Sequence, residues 1–469
     1  MSFDSVTFGV FLFLVFTGYW LLASREVKTQ NIFLLVASYI FYAWWDYRLP
    51  GLLIFSTVLN YACGLQMERG SIDQKKRWLL LGILLNVAVL AFFKYTPLFS
   101  HSLTGIVSAV GLSFYTLRGL SYLFDVYRCK VEAVHDAWAY AVFTAFFPLL
   151  LAGPVERADS LLPQCSRLRV FDANKSKDAM RQMLWGLFKK VVIADNCAYF
   201  TDEIFAHYTA YSSGTLIAGA LLFSFQVYAD FSGYSDIAIG SARLLGFEVT
   251  RNFAFPYFSR NMAEFWRKWY MSLSSWWRTY IYIPLGGNKG NAWMIWCHAA
   301  IVFLIAGLWH GAHWHYIAWA GLNALYMLPL LVFHWNKNKT AYAAEGKRLP
   351  SVKEMVQMAA TFFLATISWV LFRSESLQDA GLYGKGMLAP PRLTVTVWEL
   401  KQIGAGLLYI LLFITGCMMV EWIQRGKQHG LQLSDEAVPR PVRWCIYYVL
   451  ILLLIAFSRG EHDFMYFKF

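Results

Sequence analysis

Three histidines stand between two apolar segments of the chain, in the run GLWHGAHWH that contains His310, His313 and His315. An imidazole exchanges a proton near neutral pH, so a histidine in apolar surroundings can act as a general acid or base. The small neighbours Gly311 and Ala312 would let a substrate or another helix approach the His310 ring. A helix-packing histidine bonded to the backbone is the alternative interpretation, and His313 and His315 are expected at the hairpin end or interface.

The spacing of these histidines argues against a metal site. Steps of three and two residues fit a tetrahedral zinc site poorly, and no cysteine or carboxylate flanks them. The seven cysteines are spread along the chain without a CxxC pair. They are expected to be buried thiols rather than ligands or disulfides. The sequence therefore predicts no metal and no bound cofactor.

A second polar cluster interrupts apolar sequence at YADFSGYSD. Its hydroxyl and carboxylate groups belong to Tyr228, Asp230, Ser232 and Asp236. Because the two carboxylates are six residues apart, they do not share one face of a straight helix, and Gly233 is expected to mark a broken helix. Such groups can orient a catalytic imidazole or hold a carbonyl, but local capping and packing is an equally open interpretation.

Composition places these residues in lipid. Of the 469 residues, 58% are hydrophobic and 15% are charged, whereas a soluble domain carries about 25% charged residues. So few charges would not cover a water-facing surface, which excludes an ordinary soluble, disordered or disulfide-scaffold protein. The formal charge of +12 is expected to reflect basic cytoplasmic connections rather than nucleic-acid binding. Those connections are 68–77, 167–190, 251–289 and 337–353.

Apolar segments recur along the whole chain, and several are shorter than the ~20 residues that a spanning helix needs. We predict an all-α integral membrane protein with about 11–13 transmembrane or re-entrant helices around a central channel, with amphipathic interfacial helices. Asp4 precedes the first segment and Arg25 and Lys28 follow it, which predicts a retained helix with its N-terminus outside.

The stretch 252–289 is too polar to span a membrane and too aromatic for a loose loop. Large apolar side chains recur there at helical spacings, at Phe265, Trp266, Trp269, Leu273, Trp276 and Trp277. This pattern predicts one amphipathic helix at the membrane interface, with tryptophans at headgroup level and cations toward phosphate or water.

Nine motifs in one order resemble the membrane-bound O-acyltransferase family, in particular its alginate-type branch of bacterial polysaccharide acetyltransferases. The resemblance covers about residues 1–380 of an expected single domain over 1–469, with further C-terminal helices at 402–457. The matching stretches are ASYIFYAWW, FKY, SFYTLRGLSYLFDVYR, FP…AGPVER, YADFSGYSDIAIG, RNFAFPY, EFWRKWYMSLSSWWRTYIYIPLGG, GLWHGAHW and WVLFRSES.

The resemblance implies O-acylation of an exported bacterial glycan by a protein of the inner membrane, so that the N-terminus would be periplasmic. It places the family's essential histidine at His310. The chain departs from the alginate-type pattern at two further histidine positions, which hold Asn323 and Tyr270. An asparagine exchanges no proton, so Asn323 would only orient a group or make a hydrogen bond.

The expected reaction is transfer of an acyl group, with acetyl as the expected one, from a cytoplasmic thioester to a hydroxyl. His310 would act as base, and the supporting residues would be Asn323, Tyr228, Asp230, Ser232, Asp236 and Trp309. Arg267, Lys268 and Arg278 would attract an anionic donor, either acetyl-CoA or an acyl carrier protein.

The resemblance also implies partners. These are a periplasmic SGNH-type acetyltransferase or a glycan acceptor, the polysaccharide export machinery and membrane lipids, with no nucleic acid. Two other functions stay open at this point. A glycan or lipid transporter with a His/Asp proton relay explains polar groups in the membrane, although it does not explain the Trp/Arg segment and no inverted repeat is visible. The second function that stays open is a non-catalytic scaffold for a glycan-export complex.

Overall fold

A computed structural model describes residues 1–23, 25–99, 111–151, 153–311, 313–333, 340–390, 393–404, 406–433 and 438–458. Every regular element in these ranges is helical, which confirms the all-α prediction. The chain divides into two compact units, Met1–Met183 with Ile237–Arg251 and Leu184–Asp236 with Asn252–Phe469. The expectation of one domain over 1–469 stays a prediction, and so does the central channel.

The first unit is built from the N-terminal helices. Its polar groups are buried with backbone partners: the guanidinium of Arg118 donates to the carbonyls of Phe143, Thr144 and Leu149 at 2.9–3.0 Å. The helices are α1 (Val6–Leu22), α2 (Val27–Ala43), α3 (Leu49–Arg69), α4 (Ile72–Phe99), α5 (Leu112–Tyr127), α6 (Ala137–Ala145), α7 (Ala158–Cys165) and α8 (Ala173–Leu187).

The second unit holds every residue that the sequence singles out for chemistry. A π-helical segment, Phe188–Ala194, follows α8. The later helices are α9 (Asp195–Ala206), α10 (Ser213–Leu244), α11 (Met262–Lys268), α12 (Met271–Trp277), α13 (Ala292–His310), α14 (Trp314–Val332), α15 (Val352–Arg373), α16 (Leu377–Met387), α17 (Leu393–Ile403), α18 (Leu407–Ile423) and α19 (Arg440–Phe457). Helices α8 and α10 contribute residues to both units.

Seven helices within the described ranges are long and apolar enough to cross a membrane, and an eighth is counted if α17 and α18 form one bent span. The seven are α3, α4, α10, α13, α14, α15 and α19. The chain is thus a multi-pass membrane protein. Other predicted segments are shorter helices, such as α1 with 17 residues and α6 with nine, which fits the expectation that several segments need not span.

The broken helix expected at Gly233 is wrong. Helix α10 runs for 32 residues through the whole Tyr228–Asp236 cluster. Gly233 instead permits close packing, because a Cβ atom there would lie 2.7 Å from the carbonyl oxygen of Gly186 and 2.9 Å from the backbone nitrogen of Lys190. The missing side chain lets α10 touch the backbone of the segment that carries two buried lysines.

We therefore expect Gly233→Ala to destabilise the protein by about 1–3 kcal/mol, the usual effect of overpacking. Thermal unfolding of the purified protein in detergent would measure it. Gly321→Ala in α14 is the matched control, since a Cβ atom there has no neighbour within 4 Å and alanine is the better helix former. Equal melting temperatures for the two variants would contradict this role of Gly233.

Candidate active site

A cavity of about 640 Å³ lies within the second unit. It is lined by residues from α10 to α15, many of them aromatic. Four of the predicted site residues lie on it, namely His310, Asp230, Arg267 and Arg278. A histidine, a carboxylate and two guanidinium groups thus line one partly open cavity, although they come from three separate stretches of chain.

His310 is the last residue of α13, and aromatic rings surround its imidazole. The ring centroid lies 5.1 Å from that of Phe372 and 5.4 Å from that of Trp319, both edge-on. Helix α13 ends here because Gly311 is extended, with φ 170° and ψ 166°. These walls restrict rotation of the imidazole and limit the access of water, while one side of it faces the cavity.

The two neighbouring histidines lie apart from this cavity wall. His313 is exposed and stacks on His315, with ring centroids 5.5 Å apart. His315 is 4% exposed and packs on Tyr316 at 4.0 Å. Ala312 lies outside the described residues. Across the described ranges, no group of three or more His, Cys, Asp or Glu side chains is arranged to hold a metal ion.

The Tyr228–Asp236 cluster forms a buried ionic network. Lys190 lies 2.9 Å from Asp230 and 2.7 Å from Asp195, and Lys189 lies 2.7 Å from Asp236. The lysines are 3% and 1% exposed. Both were expected in a basic cytoplasmic connection, and that expectation is wrong for them. Their adjacent positions on a π-helical segment meet carboxylates six residues apart on α10.

One further carboxylate completes this network. The phenol of Tyr228 donates to Glu421 at 2.7 Å, and Lys189 lies 3.9 Å from the same carboxylate. Ser232 is buried on the same helix. Among these residues Asp230 reaches the cavity wall, so the packing interpretation describes most of the cluster. Glu421 and Asp195 could not be predicted as members of this network, because nothing in the local sequence pairs them with a lysine.

Asn323 anchors two cavity tryptophans. Its side chain is completely buried, its Oδ1 accepts from the indole N–H of Trp266 at 3.2 Å, and its Nδ2 donates to the carbonyl of Trp319 at 2.8 Å. Trp266 and Trp319 line the cavity, and Asn323 does not. Its amide is therefore engaged in holding the aromatic wall. Trp309 has a similar packing position, edge-on to Trp277 at 5.8 Å.

Asn323→Ala is expected to destabilise the protein by about 1–3 kcal/mol, because the indole N–H of Trp266 loses its buried acceptor. Trp266→Phe removes the same hydrogen bond from the other side. A double-mutant cycle on thermal unfolding should show that the two losses are strongly non-additive. Simple additivity would mean that the Asn323–Trp266 bond contributes nothing.

The single amphipathic helix expected after Asn252 is two short helices, α11 and α12, separated at Trp269–Tyr270. Tyr270 has φ 46°, a left-handed conformation that costs a non-glycine residue about 1–3 kcal/mol. Asn252 holds this corner, because its carbonyl accepts from the amide of Met271 at 2.8 Å and its side chain accepts from Ser272 at 2.6 Å. The corner turns Tyr270 onto the cavity wall.

The aromatic face of this stretch packs inside the protein. Trp269 is 5% exposed, and its ring lies 4.8 Å from Trp369 of α15. Trp276 and Trp277 are also buried. The expected placement of these tryptophans at lipid headgroups is therefore wrong. The helical spacing does identify one apolar face, but α15 and other protein elements cover it.

The three candidate donor-binding cations differ in their surroundings. Arg267 and Arg278 are exposed and line the cavity. Lys268 is buried and lies 2.6 Å from Glu264, which Arg260 also contacts at 3.0 Å. Burial lowers the pKa of Lys268 and would raise that of Glu264, but hydrogen bonds and charge from Arg260 and Lys268 bring the pKa of Glu264 below its usual value. Lys268 thus lies in an internal ion pair and is not among the residues that line the cavity.

Comparison with known proteins agrees with the motifs. The chain is 37% identical over 422 residues to the probable alginate O-acetylase AlgI of Pseudomonas aeruginosa, covering 86% of this chain and 77% of that protein. It is 33% identical over 418 residues to the peptidoglycan O-acetyltransferase of Helicobacter pylori, covering 81% and 78%. It is 26% identical over 294 residues to the teichoic acid D-alanyltransferase of Lacticaseibacillus rhamnosus, covering 59% and 72%.

The family model for membrane-bound O-acyltransferases matches residues 13–372. That range includes the His310 cavity, the aromatic segment and the buried ionic network except Glu421, and it ends at Phe372, whose ring packs on His310. The chain therefore belongs to the membrane-bound O-acyltransferase family.

Proposed function

We propose that this protein transfers an acyl group, specifically acetyl, from a cytoplasmic thioester toward a hydroxyl of an exported polysaccharide, in the inner membrane of a bacterium. The observation that carries the proposal is that His310 and two exposed arginines, Arg267 and Arg278, line one cavity. Relatives named for alginate and peptidoglycan acetylation support an exported glycan as the final acceptor.

The arginines would bind the anionic part of the donor. A phosphate of acetyl-CoA or of the carrier arm of an acyl carrier protein would pair with Arg267 and Arg278. The cavity then gives the acyl end a path to His310. The arginines lie in the basic connection 251–289, which is expected on the cytoplasmic side, and α13 leads from there to His310 at its other end.

His310 would act as general base. It takes the proton from the acceptor hydroxyl as that oxygen forms a bond to the thioester carbonyl carbon. The carbon–sulfur bond then breaks, and the imidazolium returns the proton to the departing thiolate. The hydroxyl belongs either to the glycan or to a periplasmic SGNH-type transferase that passes the acyl group on.

Two indoles on this cavity would stabilise the oxyanion formed in this step. The N–H groups of Trp277 and Trp319 are buried and have no acceptor within the described part of the chain, and both tryptophans line the cavity. A fixed N–H donor in a site closed to water stabilises developing negative charge more strongly than water does. The aromatic walls also protect the thioester from hydrolysis.

The test is consumption of thioester by the purified full-length protein. Incubation with acetyl-CoA or acetylated carrier protein, with thiol release as the readout, should show turnover that depends on an acceptor hydroxyl. A transporter with a His/Asp relay would move its cargo without releasing thiol. Absence of thiol release with both donors and a hydroxyl acceptor would overturn the proposal.

The arginines allow a sharper prediction. Arg267→Gln and Arg278→Gln should each raise the KM for the donor by about two- to fivefold, as expected for the loss of one exposed ion pair, with a smaller effect on kcat. Added salt should weaken donor binding in the parent more than in the variants. Lys268→Gln is the contrast, since it should lower the melting temperature and leave KM unchanged. If the KM for the donor changed only in Lys268→Gln, donor binding would be assigned to Lys268 and not to the two arginines.

A further inference from the structure

A smaller cavity of about 240 Å³ lies where α15 ends. The cavity is lined by Phe205, Ala206, Tyr208, Arg373, Ser374, Glu375, Asp379 and Tyr383. It is next to the active site along the chain, because the ring of Phe372 lies 5.1 Å from His310 and the following residue, Arg373, lines the small cavity. Helices α13 and α15 both start after basic connections expected in the cytoplasm, so their ends here are expected on the outer side.

Two side chains on this cavity have hydrogen-bonding groups that are not all used by the described residues. Arg373 donates to Asp202 at 2.7 Å and lies over the ring of Phe205 at 5.4 Å, which holds the guanidinium plane in place. A guanidinium has five N–H donors, and Asp202 is the acceptor that Arg373 has among the described residues. Glu375 is exposed and makes no hydrogen bond or ion pair within the described ranges.

The remaining walls are held by internal bonds. Asp379 accepts from Ser376 at 2.5 Å and from Tyr208 at 2.8 Å, and Tyr383 donates to the carbonyl of Leu216 at 2.8 Å. The hydrogen bond from Ser376, then that from Tyr208, lowers the pKa of Asp379 below its usual value. The cavity is therefore preformed, with one available donor group and one available acceptor group on a fixed frame.

We propose that this cavity is the acceptor subsite and binds one ring of a neutral sugar chain. A sugar hydroxyl both donates and accepts, so neighbouring hydroxyls can accept from Arg373 and donate to Glu375 at once. The volume corresponds to about eight water molecules at ~30 Å³ each, which is room for a single ring. This inference rests on the proposed function, since it names the acceptor of the His310 reaction.

The charged groups at this cavity determine which class of sugar it favours. Arg373, Glu375 and Asp379 line the cavity, and Asp202 pairs with the guanidinium of Arg373 at 2.7 Å. One guanidinium and three carboxylates, 1 − 3, give a formal charge of −2. A uronate would bring its own carboxylate into this field and meet like charges, which opposes binding. The site therefore favours a glycan of neutral sugars over a polyuronate.

The test is direct sugar binding to the full-length protein in detergent micelles at low salt, measured by saturation-transfer NMR. Cellotetraose is the neutral probe and tetramannuronate is the charged one. We expect cellotetraose to bind at least about tenfold more tightly. Arg373→Lys should weaken cellotetraose binding severalfold, because an ammonium lacks the planar fork. Glu375→Gln should improve tetramannuronate binding, and Glu132→Gln, which replaces an exposed carboxylate of the first unit, should change neither.

Tetramannuronate binding as tight as that of cellotetraose, or no effect of Glu375→Gln on the preference, would overturn the assignment. No sugar binding, with acyl transfer to a partner protein that is sensitive to Glu375→Gln, would overturn it in favour of a protein acceptor. Binding requires no acyl donor, so this failure is separate from that of the proposed function, which is read from thiol release. His310→Ala should leave sugar binding intact.

Discussion

Replacing His310 with alanine is expected to lower the rate of acyl transfer by about 10²–10⁴-fold, the range that a positioned general base contributes. The imidazole is the proton-exchanging group that the second unit places between aromatic walls on the 640 Å³ cavity. Without it, the attacking hydroxyl keeps its proton and the thiolate leaves unprotonated. The rate of thiol release in the presence of acceptor measures the effect, while donor KM should change little.

The controls for this variant come from the neighbouring histidines. His313→Ala removes an exposed imidazole that is outside the cavity lining, so it should retain most of the activity. His315→Ala should also be milder than His310→Ala. An unchanged melting temperature of His310→Ala would show that the protein is folded. Full activity in a folded His310→Ala protein would remove His310 from the chemistry and favour a scaffold role.

Lys190→Met is expected to destabilise the second unit by about 3–5 kcal/mol, the usual result of removing one partner of a buried ion pair. Lys190 is 1% exposed and lies within 3 Å of both Asp195 and Asp230. Methionine fills the volume but leaves two buried carboxylates without their shared cation. Thermal unfolding in detergent and the yield of inserted protein are the measurements.

Lys175→Met is the matched control for this prediction. Lys175 lies 2.9 Å from Glu248, but both side chains are more than half exposed, and exposed pairs contribute little because water and salt screen them. Its melting temperature should therefore match the parent's. If Lys190→Met were as stable as Lys175→Met, the network would not stabilise this unit, and Asp230 would be free for a role in catalysis.

Hydropathy and motif order predicted the helical architecture and the family, because lipid imposes a composition that the sequence shows directly. The motifs predict His310, Arg267, Lys268 and Arg278 as site residues, but only the fold shows that His310 and the two arginines line one cavity. The resemblance did most to raise His310 above an ordinary packing histidine. The cavity adds a physical reason, since it joins that histidine to the two exposed arginines.

The incorrect predictions share one cause. In the sequence, a buried polar residue cannot be distinguished from an exposed one until its partner is known. Lys189 and Lys190 were assigned to a cytoplasmic connection because their partners, Asp236 and Asp230, are about 40 residues away in the chain. The pattern around Gly233 predicts a helix break for the same reason. In the fold it is a close contact that brings the lysines to α10.

The aromatic segment shows the limit of periodicity. Helical spacing correctly grouped the tryptophans on one face, but it did not reveal the left-handed Tyr270 that divides the segment, nor that protein rather than lipid covers the face. Asn252 stabilises the turn at Tyr270 but carries no periodic signal. Helix α15, which covers the aromatic face, is distant in the sequence. Trp319 and Phe372, which enclose His310, were missed because they look like ordinary membrane aromatics.

The most direct test of the central claim is a sided transfer assay in proteoliposomes. Impermeant acetyl thioester is supplied on the side of Arg267 and Arg278, and a hydroxyl acceptor is enclosed on the other side. The parent protein is expected to release thiol outside and to acetylate the acceptor inside, and His310→Ala is expected to do neither. Equal acetylation of the enclosed acceptor by the parent and by folded His310→Ala would contradict it.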